Sequence, residues 1–292
     1  MNVPTLGDAV HAFRFAGLRQ DVPMAVALVL TDRCQLSCRH CRVANVVRKD
    51  MTLAEIETAL RRHRGRGIRA LALEGGEPFL WRDGDARLDD VVALARRLGY
   101  WRVHVYTNGI RPIETSADMA WVSLDGRREA YATLRGDHFD RVVANIRAAR
   151  VRRMGLIFVV NRRNREEVRP FLEWSRTLPV AGTMFYLHTP YYGRDELRLA
   201  PEERVEVLDA LLRHADAGLP ILNSRAALRM MRSGDWRRPS RMWWVADRDG
   251  DHECCRAASP EVCAECGYAG CVELLAAQRL HPSAIAMLAR IA

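Results

Sequence analysis

Between Cys41 and Cys254 the chain has no cysteine at all. Its eight thiols fall into two groups, at residues 34 to 41 and 254 to 271, which excludes the evenly spread pairs of a small disulfide-stapled scaffold. Such clustering speaks for metal ligands in a reducing compartment, so the cytoplasm is the expected location. No apolar run approaches the ~20 residues that span a bilayer. The run Met24 to Leu30 is short, follows Arg19, Gln20 and Asp21, and lacks a small-residue cleavage site before Thr31; it reads as a buried strand rather than a secretory signal. Repeats, low-complexity stretches and a basic tail are missing too. The net charge of +9 comes from 45 basic against 36 acidic residues, but arginines such as Arg61, Arg96, Arg147 and Arg204 are scattered along helices without interleaved aromatics. Solvated helix faces account for them, and nucleic acid is not an expected partner. With 49% hydrophobic and 28% charged residues the composition is that of an ordered globule.

From residue 24 to about 212, apolar strands alternate with amphipathic helices, the pattern of a parallel sheet with crossover helices. Strands are expected at Met24 to Leu30, Ile68 to Leu73, Arg102 to Tyr106, Met119 to Ser123, Gly155 to Val160 and Thr183 to Leu187. Helices are expected near residues 52–63, 88–98, 139–150, 165–176 and 201–213. Thr52 with Glu55 forms a capping box, and Pro201 before Glu202 and Glu203 marks a helix start. Only about a dozen residues separate Tyr106 from Met119, too few for a full crossover helix. The fold class expected is α/β, a partial (β/α)6 TIM-like barrel with a small cysteine-rich C-terminal extension. Its parts are an N-terminal arm at 1–22, a barrel at 23–215 and the cysteine-rich region at 216–292. In residues 5–19, Leu6, Val10, Phe13 and Leu18 lie at helical spacing beside Arg14 and Arg19. This helix either packs on the barrel or lies on a membrane surface.

The chemistry-bearing residues cluster at strand ends. Cys34, Cys38 and Cys41, spaced by three and then two residues on a loop leaving a strand, can converge on one inorganic body. Structural zinc closes with four protein ligands, and ordinary electron-transfer clusters use four cysteines. Three in so tight a run point to an iron-sulfur cluster with one open iron, the alternatives being a zinc loop with a distant fourth ligand or unrelated buried thiols. Gly75 and Gly76, in Glu74-Gly75-Gly76-Glu77-Pro78, lack side chains and let backbone approach a ligand; the same residues also make an ordinary turn. In the tail, Cys254 and Cys255 precede Cys263-x2-Cys266-x4-Cys271. Four of these five suffice for a closed cluster, and Cys-x2-Cys serves zinc equally.

Taken together, the Cys34-x3-Cys38-x2-Cys41 motif with His40 before its last cysteine, the Gly-Gly-Glu-Pro element, Thr107-Asn108-Gly109 and Ser123-Leu124-Asp125-Gly126 resemble the radical S-adenosylmethionine (SAM) superfamily over residues 24 to about 190. The resemblance implies a [4Fe-4S] cluster on the three cysteines and SAM chelated at its open iron. One electron then cleaves SAM to a 5′-deoxyadenosyl radical. It implies cofactor contacts from His40, Gly75, Gly76, Glu77, Pro78, Thr107, Asn108, Ser123 and Asp125, with Asn161 and Arg135 as further candidates, Arg135 having a surface salt bridge as its alternative. The tail is similar to the shortened auxiliary-cluster extensions called Twitch or SPASM. That similarity implies a second [4Fe-4S] cluster on Cys255, Cys263, Cys266 and Cys271, with Cys254 in reserve. Trp243, Trp244, Tyr191 and Tyr192 are natural pocket walls or core. The implied activity is modification of an unactivated carbon of a small-molecule or lipid substrate, with electrons from a reductant such as flavodoxin or ferredoxin. A peptide maturase is the alternative, disfavoured by the 23 residues before the first strand. From another class stands a zinc-stapled basic nucleic-acid-binding protein without turnover.

Overall fold

The computed structural model describes residues 5–46, 49–193 and 195–291; the first four residues of the expected arm and the last of the tail lie outside them. Six parallel strands follow one another in chain order: β1 (Ala25–Thr31), β2 (Ala70–Gly75), β3 (Arg102–Thr107), β4 (Met119–Ser123), β5 (Met154–Val160) and β6 (Thr183–Leu187). Around them run α1 (Leu6–Ala12, continued by a π-helical turn at Phe13–Gly17), α2 (Leu53–Gly65), α3 (Leu88–Arg97), α4 (Arg128–Arg135), α5 (Phe139–Ala148), α6 (Val168–Ser175) and α7 (Pro201–Asp216). The capping box forms as expected: Glu55 N–H donates to Thr52 Oγ1 at 3.2 Å and Thr52 N–H to Glu55 Oε2 at 2.7 Å. The short β3–β4 connection carries no helix.

Strand composition decides what fills the two faces of the sheet. In β1 and β2 large and small residues alternate. Val26, Leu28 and Leu30, with Leu71 and Leu73, join α2 and α3 in one buried cluster. Ala25, Ala70 and Ala72 line a cavity that is also walled by His104 of β3, Trp121 of β4 and Met184 of β6. One cavity touching so many strands means that the sheet curls into a partial barrel, with small side chains inside.

Residues beyond 215 do more than append a cysteine region. After α8 (Arg225–Ser233), β7 (Trp243–Asp247) pairs parallel to β1 through Ala25↔Trp243 to Leu28↔Ala246, and β8 (Gly250–Glu253) returns antiparallel to β7. The full order is β6-β5-β4-β3-β2-β1-β7-β8, so the tail extends the barrel's own sheet. Asp251 of β8 is gripped from α2, by Arg62 at 2.6 and 2.8 Å, His63 Nε2 at 3.0 Å and, just beyond the helix, Arg66 at 2.9 Å. Three helices end the chain: α9 (Pro260–Ala264), α10 (Ala269–Gln278) and α11 (Pro282–Ile291). They lie across the barrel's open side. Leu187 N–H donates to the Gly267 carbonyl at 3.0 Å, and Ser224 N–H, before α8, donates to Glu273 of α10 at 2.8 Å. Among the described residues no helix is long and apolar enough to cross a membrane.

Candidate active site between two cysteine groups

The loop after β1 is folded back on itself by polar side chains that sequence patterning does not single out. Asn45, in the left-handed region at φ 61°, accepts from Cys34 N–H at 3.0 Å and donates to the Leu36 carbonyl at 3.2 Å. Asp50 accepts from Thr31 Oγ1 at 2.5 Å and pairs with Arg33. Donors also point at sulfur: Leu36 N–H and Asn108 Nδ2 lie 3.4 and 3.5 Å from Cys34 Sγ, and Arg135 Nη1 lies 3.8 Å from Cys38 Sγ. Burial pushes the Cys38 thiol up to about 11, against the pull of Arg135. A cationic iron body would take that proton off, because metal binding displaces ligand protons.

Gly75 and Gly76 are needed for a reason other than the one expected from a turn. A Cβ on Gly75 would lie 2.1 Å from the Thr31 carbonyl oxygen, and one on Gly76 2.4 Å from that of Arg33. The end of β2 therefore presses backbone to backbone on the cysteine loop, with Gly76 N–H donating to Thr31 at 2.7 Å and Glu77 N–H to Arg33 at 2.9 Å. Gly75 additionally sits at φ 150°.

A cavity of about 720 Å³ opens beside the loop. Of the residues expected at the cofactor, His40, Gly75, Gly76, Thr107, Asn108, Ser123 and Arg135 line it together with all three loop cysteines. Glu77, Pro78, Asp125 and Asn161 do not; each is buried and holds or packs a neighbour instead. Glu77 accepts from Asn108 N–H at 2.8 Å, Thr107 Oγ1 at 2.9 Å and Phe79 N–H at 3.2 Å, tying β2 to β3. Asp125 accepts from Arg135 Nε at 2.6 Å and Val159 N–H at 2.8 Å, while Asn161 accepts from Arg163 N–H at 2.9 Å within its own loop. Arg135 is thus a buried ion pair aimed at the cavity and not a surface salt bridge. Burial lowers the His40 imidazole to about 4, helped by Arg135, so it is neutral at pH 7, and its Nδ1 is buried without a partner among the described residues.

The second cysteine group has its own cavity, of about 200 Å³, lined by Cys254, Cys255, Cys263 and Cys266. Cys254, at φ 70°, follows β8 and donates its N–H to Trp243; its sulfur lies 3.9 Å from that of Cys271 in the first turn of α10. The Cys263-x2-Cys266 turn is clamped from α7 by Arg204, which donates to the Glu265 and Cys266 carbonyls at 3.1 and 2.8 Å. Among the described residues no three thiol, imidazole or carboxylate groups close on a point as a single ion requires. A cubane asks for wider spacing, because each thiolate binds a different iron.

The two cavities share walls: Val43, Glu74, Tyr191 and Tyr268 line both. Glu74 continues the inward series Ala70, Ala72 on β2, a signal available in the sequence but overlooked in favour of the glycines. Burial pushes its carboxyl up to about 7, with Arg256 pulling it down. Tyr191, Tyr192 and Trp243 are walls as expected, whereas Trp244 turns outward under the Arg66 guanidinium, 4.4 Å above its ring. Tyr106 and Tyr186 floor the larger cavity. The loop thiols, the orphaned His40 nitrogen, the bare glycine edge and the buried Arg135 fit a cluster with an amino-acid-bearing cofactor beside it.

Comparison with known proteins agrees with this geometry. The chain is 33% identical over 169 residues to a probable GTP 3',8-cyclase of Saccharolobus islandicus (strain M.14.25 / Kamchatka #1), covering 52% of this chain and 53% of that protein. It is 30% identical over 189 residues to the PqqA peptide cyclase of Gluconobacter oxydans (strain 621H), covering 59% and 51%. It thus spans about half the length of the curated relatives it matches. Among solved structures, Streptococcus suis SuiB bound to precursor peptide SuiA superposes with a TM-score of 0.64 at 11% identity, covering 92% of this chain and 70% of that one. Native anSMEcpe with bound AdoMet and Kp18Cys peptide superposes at 0.61 and 16% identity, covering 88% and 82%. The family model of the Radical SAM superfamily matches residues 28–175, half of the chain, from within β1 to the end of α6, and takes in every residue that lines the larger cavity except Tyr186, Tyr191 and Tyr268. The chain belongs to the radical SAM superfamily and is an enzyme.

Proposed function

We propose that this enzyme holds a [4Fe-4S] cluster on Cys34, Cys38 and Cys41 with SAM in the larger cavity. In this reading it modifies an unactivated carbon of a small-molecule or lipid substrate lying between the two cysteine groups. When bound and reduced by one electron, cluster and SAM together supply a 5′-deoxyadenosyl radical that removes a hydrogen atom. The observation that carries the reading is the wall common to both thiol-lined cavities, formed by Val43, Glu74, Tyr191 and Tyr268. This chain's residues do the positioning. Arg135, paired with Asp125, lines the cavity and would meet the carboxylate of the cofactor; neutral His40 would offer a ring nitrogen, and the tyrosines would present an apolar surface.

A second cluster on Cys255, Cys263, Cys266 and Cys271 completes the proposal. Cys254 touches Cys271 at 3.9 Å, closer than two thiolates on different irons of one cube stand, which favours Cys255 as the fourth ligand. The net charge of +9 suits an acidic one-electron donor of the flavodoxin or ferredoxin kind. Contact with a membrane surface through residues 5–19 belongs to the same reading. A peptide substrate is the second reading, favoured by the likeness to the PqqA peptide cyclase.

Anaerobic purification is expected to yield a brown protein with about eight irons per chain, two [4Fe-4S] clusters. Reductant plus SAM is expected to release 5′-deoxyadenosine. Cys38→Ala abolishes that release, whereas Cys266→Ala keeps it and removes about four irons. Release by Cys38→Ala, or zinc in place of iron, would overturn the assignment. Mass shifts of lipid and peptide fractions from a host with and without the protein separate the two substrate readings.

A further inference from the structure

The inward positions of β2 run Ala70, Ala72 and then Glu74, so a carboxyl follows two alanines into the barrel. Packing alone does not call for a charge there. Glu74 lines both thiol-walled cavities, and it is half-buried, its exposed part facing the space they share. Its oxygens are open to that space, and no hydrogen bond or ion pair joins them to another of the described residues.

The cations nearby are engaged elsewhere. In the smaller cavity Arg256 reaches Asp247, 3.5 Å away, while Arg238 lies 4.8 Å above the Trp236 ring and donates to the Gly234 carbonyl at 3.2 Å. In the larger one Arg135 is held by Asp125 and Arg39 pairs with Glu196 at 3.6 Å; Arg42 is exposed. A carboxylate in such a place is costly unless something brings it a partner. Aromatic rings complete the surroundings: Tyr191, Trp243 and Tyr268 line the smaller cavity with Glu74, and the Tyr268 centroid stands 5.0 Å from that of Tyr186 and 5.4 Å from that of Trp243. Opposite charge and ring π density both attract an ammonium group. A neutral alcohol gains only a hydrogen bond from the same carboxylate, and an anion is repelled by it.

We propose that Glu74 selects the substrate by pairing with an ammonium group, on an amine whose hydrocarbon part rests against Tyr191, Trp243 and Tyr268. As the substrate site of a radical enzyme this rests on the function proposed above; as a binding site it does not.

Benzylamine and benzyl alcohol, alike in shape and different in charge, serve as probes, compared by equilibrium dialysis against the anaerobically purified full chain with SAM present. Wild type is expected to bind the amine about tenfold or more tighter than the alcohol. Glu74→Gln keeps the size of the side chain and removes its charge; it is expected to weaken benzylamine about tenfold and to leave benzyl alcohol within about twofold. Glu74→Asp keeps the charge and is expected to recover part of the loss. Iron content checks that each variant is folded, and the preference of wild type for the amine needs no variant at all. Equal binding of the two probes by wild type, or benzylamine bound equally by wild type and Glu74→Gln, overturns the proposal. A preference for the amine in a protein that releases no 5′-deoxyadenosine would keep the pairing and sink the radical reading; release without that preference does the reverse.

Discussion

Asp125 and Asn161 stand where strands end, and from the sequence both read as groups reaching toward a cofactor. In the structure their side chains turn back and satisfy backbone N–H groups, Asp125 that of Val159 on neighbouring β5 and Asn161 that of Arg163 in its own loop. Strand ends are where the period-two alternation stops, so the pattern no longer says to which side a residue points. The cysteines, the two glycines and Arg135 were legible because chemistry or sterics leaves few alternatives at those positions. Asn45 and Asp50, which shape the cysteine loop, carry no pattern at all. A division of labour follows that mutation can read. Asn161→Ala is expected to cost ~1–2 kcal/mol of stability through two lost hydrogen bonds, with SAM affinity unchanged within about threefold by equilibrium dialysis. Arg135→Lys keeps the charge beside Asp125 but loses the planar fork, and SAM affinity is expected to fall tenfold or more. Equal effects of the two substitutions on affinity would refute the assignment.

At the level of elements, the six parallel strands and the crossover helices follow from alternation and capping, and the structure has them within three residues at each end. The helix Arg128–Arg135 and the hairpin of β7 and β8 were not legible. Gly250–Glu253 contains no apolar residue, so it has no hydrophobic signal; it is a strand because β7 lends it a ladder and because Asp251 is clamped from α2. Burial alone would raise the Asp251 carboxyl, but the Arg62 hydrogen bonds and the nearby His63 outweigh it and hold it at about 2. A folded-state value below the unfolded one means that the clamp stabilises the protein above pH ~4 and is lost as pH falls from there toward 2. Solvent at the partly exposed arginines discounts the effect to about 1–2 kcal/mol. Asp251→Asn is expected to melt lower than wild type at pH 7 and to approach it near pH 2–3 in thermal scans. A gap that stays constant with pH would show the clamp to be packing alone.

Over the whole molecule, the N-terminal helix reverses a common rule. It docks by its polar side, Asp8 pairing with Arg64 and Arg69 and His11 Nε2 lying 2.8 Å from the Pro23 carbonyl, with Phe15 as the buried apolar anchor. Leu6, Val10, Phe13 and Leu18 all face out, from 51% to 82% exposed, beside exposed Arg14 and Arg19. Their helical spacing was legible, but which way they face depends on the acid at position 8 finding two arginines far along the chain. Such a ridge suits an anionic bilayer, where apolar area and basic charge add. The purified protein is expected to sediment with vesicles containing anionic phospholipid, and the double substitution Val10→Ser, Phe13→Ser to release it. Wild-type protein left in the supernatant would remove membrane contact from the proposed function.

The pairing of β7 with β1 also bears on timing and distance. The strand that launches the first cysteine loop is bonded on one side to β2 and on the other to β7, whose hairpin leads straight to Cys254. Neighbouring strands stand ~4.8 Å apart at a spacing set by backbone hydrogen bonds. The cysteine loop and Cys254 therefore hang from one lattice and not from a hinged tether, so the start of the second cysteine group cannot swing away from the first without breaking rungs of the sheet.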